Sequence, residues 1–393
     1  MYVGLDAIPL AAPRTGVGHY TFELARHLAT LTPTDQFELV SPFPFAAEVE
    51  SEAQKNLPAN LHLSQPKVNS LGRRWFAVGL PLYIKQRGFD LFHGTNYEVP
   101  LWGKPPTVLT IHDLSLFLHP LTHDARLVRR GRRRLPLMAR AASYIITPSK
   151  SVKREVSEHL NIKQSKIVVI PEAPREIFRP MRLEETAETR RRLKIEGEFI
   201  LSVGTIEPRK NLLTLLKAFE EVLRSTNLRP QLVIAGKEGW LTDELFYAVK
   251  KSGIEDRLLF TGYVCDEELR ALYSSCRAFV YPSLYEGFGL PPLEAMACGA
   301  PVIASRIPSL VETGEVKAAS LVAPTDVQAL ARSIINLLND EMERRSLSSA
   351  GKQHAAQFSW EKTARATMDV YVEAMTRRGD AETRRHGEED RIA

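Results

Sequence analysis

Short apolar runs alternate with amphipathic stretches along this chain. Tyr2–Asp6 reads as a strand. A Gly/Pro-rich loop follows, then a helix over about 19–31, where Phe22, Leu24, Ala25 and Leu28 recur at helical spacing. Runs at Phe37–Val40, Leu91–His93, Val108–Ile111, Tyr144–Thr147 and Ile167–Ile170 predict further strands, with helices over 124–142 and 149–160 among them. Ser149 is placed to cap the second of these. The pattern restarts at Phe199–Val203, followed by Gly204, a polar loop and a helix over 211–224. Strands at Leu232–Ala235, Leu258–Thr261, Ala278–Tyr281 and Val302–Ala304 continue it, separated by helices near 241–251, 266–274, 290–298, 326–338 and 340–356. Two consecutive sets of strand–helix alternation predict an α/β protein of two doubly wound domains, 1–178 and 179–359. The Pro-rich stretch Pro171–Pro180 and the charged segment Arg182–Arg192 read as the junction. A helix over 360–376 closes the pattern, and 377–393, nearly free of apolar residues, reads as a disordered tail. Two domains of similar size leave a cleft, a favoured place for a ligand.

Composition narrows the class. The 393 residues are 44% hydrophobic and 25% charged, which excludes wholesale disorder. No apolar stretch reaches the roughly 18–20 residues of a membrane span, because Arg277 and Glu294 interrupt the candidates. Asp6 inside the first apolar stretch and the lack of a basic leader argue against a signal peptide. Cys265, Cys276 and Cys298 form neither a disulfide framework nor a metal-type pair, so a reduced, cytoplasmic compartment is expected. The net charge of +5 divides into +8 over residues 1–180 and −3 beyond, which suggests different partners for the two halves.

Candidate chemistry falls in the loops after strands. Gly16-Val17-Gly18 precedes the first helix, where glycines let backbone N–H groups approach an anion. Thr21 stands where a dinucleotide fingerprint needs its third glycine, and a plain turn is the alternative. Gly204-Thr205-Ile206-Glu207-Pro208-Arg209-Lys210-Asn211 sets two cations beside a helix N-terminus, which the macrodipole disfavours. Either a bound dianion or a solvated surface pair would resolve that conflict. The run from Tyr281 to Pro301 carries Gly287 and Gly289 in a loop, Pro291 and Pro292 in a first helical turn, and Gly299 at its end. Glu286 lies in this loop and Glu294 on the helix, with seven residues between them. Free amides near 287–290 could hold a phosphate, and a helix carboxylate can accept both hydroxyls of a ribose diol. Thr110-Ile111-His112-Asp113 and His93-Gly94-Thr95-Asn96 end two strands of the first half, and each offers a histidine that is either functional or structural.

Taken together, Gly16-Val17-Gly18, His112-Asp113, Glu207 to Asn211, Ala235-Gly236-Lys237, Gly262-Tyr263-Val264 and the Glu286–Glu294 block resemble a retaining family 4 glycosyltransferase of the GT-B fold over about residues 1–375. The resemblance implies two Rossmann-like domains facing across a cleft, with the 360–376 helix crossing back to the first. It implies that Glu286 contacts donor-sugar hydroxyls and Glu294 the ribose. Arg209 and Lys210 would neutralise the diphosphate, with the amides of Phe288, Gly289 and Leu290, while Gly16 and Gly18 would lie against it from the other domain. Tyr263 and Val264 would border the base, and His112 would touch the sugar and support the transition state. Two positions depart from the pattern: Thr205 where relatives often carry Arg, and Pro171-Glu172-Ala173 where they often have Pro-Asn-Gly.

The expected reaction transfers a hexose, mannose-like by resemblance to bacterial mannosyltransferases, from a GDP- or UDP-sugar to a surface-polysaccharide or lipid-linked glycan, with retention. Fixed cations and amides aimed at the leaving diphosphate replace a metal, no Asp-x-Asp motif appears, and no cofactor or nucleic-acid partner is expected. A sugar-nucleotide epimerase of the same fold and a non-catalytic sugar-nucleotide sensor are the alternatives. Seven arginines between Arg126 and Arg140 form either a solvated face or a surface for an anionic membrane, which would make the protein peripheral. Gly131 and Pro136 argue against one continuous amphipathic helix there.

Overall fold

The computed structural model describes residues 1–67, 74–103, 105–313 and 317–389, with side chains described through 377. The chain divides into two compact units, one of residues 1–114, 128–172 and 360–393, the other of 115–127 and 173–359.

In the first unit, seven parallel strands form one sheet: β1 (Tyr2–Asp6), β2 (Gln36–Val40), β3 (Leu61–Ser64), β4 (Leu91–Gly94), β5 (Thr107–Thr110), β6 (Tyr144–Thr147) and β7 (Ile167–Val169). Their order is β3-β2-β1-β4-β5-β6-β7, so the winding reverses between β1 and β4. Near-continuous apolar strands such as β6, buried at every position, are what a parallel sheet covered on both faces demands. Ser149 caps the helix Lys150–Leu160 as expected, accepting from the Val152 amide at 3.2 Å. The helix Trp360–Glu389 belongs to this unit and ties into its core through Tyr371 and Trp360, both buried.

In the second unit, β8 (Phe199–Val203), β9 (Gln231–Ala235), β10 (Leu258–Gly262), β11 (Ala278–Tyr281), β12 (Val302–Ser305) and β13 (Ser320–Val322) form a parallel sheet in the order β10-β9-β8-β11-β12-β13. Here the winding reverses between β8 and β11. One apolar layer packs Leu201, Phe279 and Leu293 on one face, and another packs Ile200, Phe219, Val280 and Ile334 on the other. The carboxyl ends of strands at such reversal points are where open α/β sheets take ligands.

Several boundaries differ from expectation. The division at Glu172/Ala173 precedes the expected one at 178, and residues 115–127 group with the second unit. The segment read as a charged junction contains the helix Leu183–Arg192, packed on Asp266–Ser275. Glu184 and Glu185 open that helix and Arg190, Arg191 and Arg192 close it, a distribution that complements the macrodipole. Ala125–Ala141 is a single helix that contains Pro136, so it forgoes one backbone hydrogen bond there. The last helix continues to Glu389 through residues expected to lack structure, while 390–393 lie outside the described residues. Glu373 and Arg377 pair at 3.0 Å one turn apart, the kind of contact that prolongs a polar helix. Among the described residues no helix is long and apolar enough to cross a membrane, and the three cysteines are free.

Candidate functional site

Two chemistry-bearing clusters lie at the strand carboxyl ends, one in each unit. In the second unit, the loops after β8 and β9 pass closer than a side chain permits. A Cβ on Gly236, at φ +150, would lie 2.0 Å from the Gly204 carbonyl oxygen. Past Gly204, Pro208–Lys210 form one tight turn, and Asn211, at φ 56, starts the helix Leu212–Ser225. Asn211 Nδ2 donates to the carbonyls of Pro282 at 3.0 Å and Pro324 at 2.7 Å. The Leu284 amide donates to the Arg209 carbonyl at 2.9 Å. The loops after β8 and β11 are thereby bound to each other.

This join places Glu286 against both expected cations. Arg209 Nη1 donates to Glu286 Oε2 at 2.9 Å and Lys210 Nζ to Oε1 at 2.7 Å. Lys210 Nζ also donates to the Tyr281 hydroxyl at 2.6 Å and sits 4.8 Å from that ring's centre. Arg209 donates further to the Tyr285 carbonyl and pairs with Glu207. The side chains of Arg209, Lys210 and Glu286 are only 13%, 13% and 10% exposed. The two cations are therefore neither solvated nor unbalanced, because Glu286 and Glu207 supply the negative charge. Burial pushes the Glu286 carboxyl up, but Arg209 and Lys210 outweigh it and hold it down at about 2. Burial lowers the Lys210 pKa more than its carboxylate neighbours raise it. Burial likewise raises that of Glu207 against the pull of Arg209.

The loop carrying Glu286 is pinned from Pro308–Thr313. Ser309 Oγ donates to the Glu286 carbonyl at 2.6 Å, and Thr313 Oγ1 to the Phe288 carbonyl at 3.0 Å. Gly289 has φ +103, and a Cβ there would stand 2.4 Å from Leu310 Cδ2. It leads into the helix Leu290–Ala297, where Pro291 and Pro292 carry no N–H, so the donors of the first turn reduce to the Leu290 amide. With Phe288 and Gly289 before it, that helix start suits an anion.

Glu294, on the same helix, is 8% exposed. It accepts from the Tyr273 hydroxyl at 3.4 Å and lies 3.6 Å from Arg175 Nε. Arg175 also pairs with Asp266 and covers the Phe178 ring. Burial raises the Glu294 pKa more than Arg175 lowers it. Of the pair expected at the base, Val264 is buried in the core and Tyr263 is 58% exposed. Residues 115–127 add further aromatic contacts: the His119 ring lies 5.0 Å from that of Tyr285, and Trp240 Nε1 donates to the Thr122 carbonyl at 2.6 Å.

In the first unit, Gly16 opens the helix Gly16–Leu31 after β1. A Cβ on Gly18 would stand 3.1 Å from the Pro9 carbonyl oxygen, whereas one on Gly16 would meet nothing within 4 Å. Packing therefore accounts for Gly18 alone. The two histidines have different fates. His93 is fully buried between the Tyr371 hydroxyl at 2.7 Å and Thr110 Oγ1 at 2.8 Å, and burial drives its pKa down to about 3. Both of its ring nitrogens are engaged inside the first unit's core, which fits the structural of its two expected roles. His112 sits past β5 with Nδ1 2.9 Å from Glu172 Oε1 and Nε2 2.9 Å from the Thr95 carbonyl oxygen. Burial lowers its pKa, but the Glu172 carboxylate more than compensates and the net shift is upward. Glu172, Glu207, Arg175 and Tyr281 escaped the sequence reading. Glu207 and Tyr281 stood inside quoted motifs without a role of their own, Glu172 stood out as the departure from Pro-Asn-Gly, and Arg175 gave no signal. Among the described residues no group of three or more His, Cys, Asp or Glu could hold a metal ion.

Residues 185–354 match the family described as Glycosyl transferases group 1, and residues 14–173 match Glycosyltransferase Family 4. Over 381 residues the chain is 32% identical to the O-antigen chain mannosyltransferase B of Escherichia coli, covering 92% of this chain and 97% of that one. The chain belongs to the family 4 glycosyltransferases. It is also 34% identical over 294 residues to the serotype-specific mannosyltransferase WbdA of Escherichia coli, covering 71% of this chain but only 35% of that longer protein. The family likeness extends to the MMP alpha-(1->4)-mannosyltransferase of Mycolicibacterium hassiacum, 31% identical over 284 residues, 69% of this chain and 66% of that one. Among solved structures, sucrose-phosphate synthase of Thermosynechococcus elongatus aligns with a TM-score of 0.77 at 22% identity over 95% of this chain and 99% of that one. Anabaena HepE in complex with UDP and glucose aligns with a TM-score of 0.73 at 20% identity over 94% and 99%. This glycosyltransferase thus has the GT-B architecture of two Rossmann-like domains.

Proposed function

We propose that this glycosyltransferase moves a mannose-like hexose from a nucleoside diphosphate sugar, with retention, to a surface-polysaccharide or lipid-linked glycan. The observation that carries the reading is Glu286 shared by Arg209 and Lys210 beside the start of the helix Leu290–Ala297. A diphosphate is the chemical class that such cations and amides attract. As it takes the two cations, it releases the Glu286 carboxylate to accept from sugar hydroxyls. Glu294 serves the ribose and Tyr263 the base. His112 serves the sugar. The leaving diphosphate gains negative charge in the transition state, and preorganised cations stabilise it without a metal. The names of the mannosyltransferase relatives support the hexose and the acceptor class. Calorimetry with UDP-, GDP- and ADP-sugars, followed by a donor-only incubation, tests the reading. Binding with slow donor hydrolysis supports it, an isomerised donor means an epimerase, and binding without turnover means a sensor.

The acceptor class also bears on the arginine helix. Arg126, Arg129, Arg130 and Arg133 recur at helical spacing and are exposed on Ala125–Ala141, while Leu135, Met138 and Ala139 are buried. Arg130 and Arg134 are drawn to Glu98, at 4.0 and 3.0 Å. The exposed row fits the cytoplasmic face of an anionic membrane, at about 1 kcal/mol for each arginine that reaches it. Changing Arg130, Arg132, Arg133 and Arg134 to Gln should abolish low-salt co-sedimentation with anionic liposomes. Unchanged sedimentation and acceptor affinity would make the row a solvated face.

A further inference from the structure

His112 is held from both sides of its ring. Nε2 faces a carbonyl oxygen, that of Thr95, which can only accept. Nδ1 faces Glu172 Oε1, which accepts when ionised. A neutral ring carries one N–H, so it would leave a lone pair facing an oxygen unless Glu172 itself brought a proton. Glu172 is 6% exposed and His112 9%, so water is poorly placed to relieve such a clash. The Glu172 side chain therefore sits where its charge counts.

We propose that Glu172 is a positioning residue, whose carboxylate fixes the His112 ring as an imidazolium with both N–H groups donated inward. His112 then meets a ligand through its carbon edge and its charge, and does not shuttle a proton. Other groups around the ring agree with this assignment. Tyr20 packs edge-on with centroids 4.7 Å apart, and Tyr97 lies at 5.9 Å from the loop after β4. Asp113 on its own loop favours the charged ring. The His93 ring on β4 also acts on it electrostatically, and the charged form of His93 is suppressed by burial. The upward shift at His112, caused by Glu172 against the cost of burial, has the sign this arrangement requires.

The inference rests on the transferase reading for its catalytic consequence, though not for its structural content. The test is nitrogen NMR of the full chain labelled at histidine, with the His112 signals assigned by their loss in His112→Asn. In the unaltered protein both ring nitrogens should stay protonated as pH rises through the ordinary histidine range, about pH 6.5. In Glu172→Gln one proton should be lost within that range. The kcat of Glu172→Gln for GDP-mannose hydrolysis should then fall about tenfold one pH unit above that midpoint, because about a tenth of the rings remain charged there. Its KM should be unchanged, and the unaltered protein should show no such fall. Because a purely structural Glu172 would lower the melting temperature without moving the ring's titration, an unchanged titration in Glu172→Gln overturns the proposal. So does a neutral His112 in the unaltered protein, a result that stands even if the variant fails to fold. Lack of turnover with every sugar nucleotide would instead overturn the transferase reading, leaving the ring signals to decide this one.

Discussion

Lys210→Ala should cripple turnover, and the structure says by how much. The lysine makes two short hydrogen bonds, at 2.7 Å to Glu286 and 2.6 Å to Tyr281, in a site where its side chain is 13% exposed. Losing one charge-assisted hydrogen bond costs roughly 1.5–3 kcal/mol. At about 1.4 kcal/mol per decade, that is on the order of ten- to a hundredfold in rate. Removing one partner of a buried pair can cost roughly 3–5 kcal/mol, but Arg209 still holds Glu286 at 2.9 Å, so the lower range applies. The loss also has a pH signature. Glu286 lies below its ordinary pKa, so its contribution to stability is complete above that ordinary value and is lost as pH falls toward about 2. Without Lys210 that loss should be smaller and should be complete at a higher pH. Acid titration of the melting temperature, run beside donor hydrolysis kinetics, measures both effects. Wild-type rate, donor affinity and acid profile together would remove Lys210 from the site.

Further substitutions separate the remaining roles. Glu294→Ala should weaken binding of GDP or UDP alone by calorimetry, whereas Glu286→Ala should spare that binding, since it leaves Arg209 and Lys210 without their carboxylate, and should damage sugar transfer. Equal losses of nucleotide affinity would contradict the division. Gly289→Ala places a side chain at φ +103 against Leu310, a strain of roughly 1–3 kcal/mol, so the melting temperature and nucleotide affinity should both drop. No change in either would show that the loop yields freely. EDTA should leave turnover intact, and a loss restored by magnesium or manganese would overturn the metal-free reading.

The fold was largely legible because buried parallel strands are written as continuous apolar runs, as in Leu232 to Ala235 or Phe279 to Tyr281. What stayed hidden were short edge elements and polar helices. β3, Leu-His-Leu-Ser, lies at a sheet edge with mixed burial, and its alternation runs for only four residues. The helix Leu183–Arg192 has one buried residue, Thr186, so its sequence resembles a linker although its end charges mark a helix. In the candidate site, the Gly- and Pro-rich run around Glu286 was legible as a loop entering a helix because its backbone needs are local. The partners of its residues were not readable. Glu286 meets Lys210, Glu294 meets Arg175, and His112 meets Glu172 only through the strand order, which brings together residues far apart in sequence. The carboxylates that balance Arg209 and Lys210 were hidden for this reason, since Glu286 arrives from another loop.

The central claim is that the chain breaks the bond between a sugar and a nucleoside diphosphate with retention. Proton NMR of GDP-mannose, and of the other sugar nucleotides that bind, followed in time with the purified protein tests it most directly. The account predicts release of the sugar first in the donor's own anomeric configuration, slowly in water and faster once a glycan acceptor is supplied. First release of the opposite anomer, or a donor that is epimerised or left untouched with and without acceptor, would contradict it.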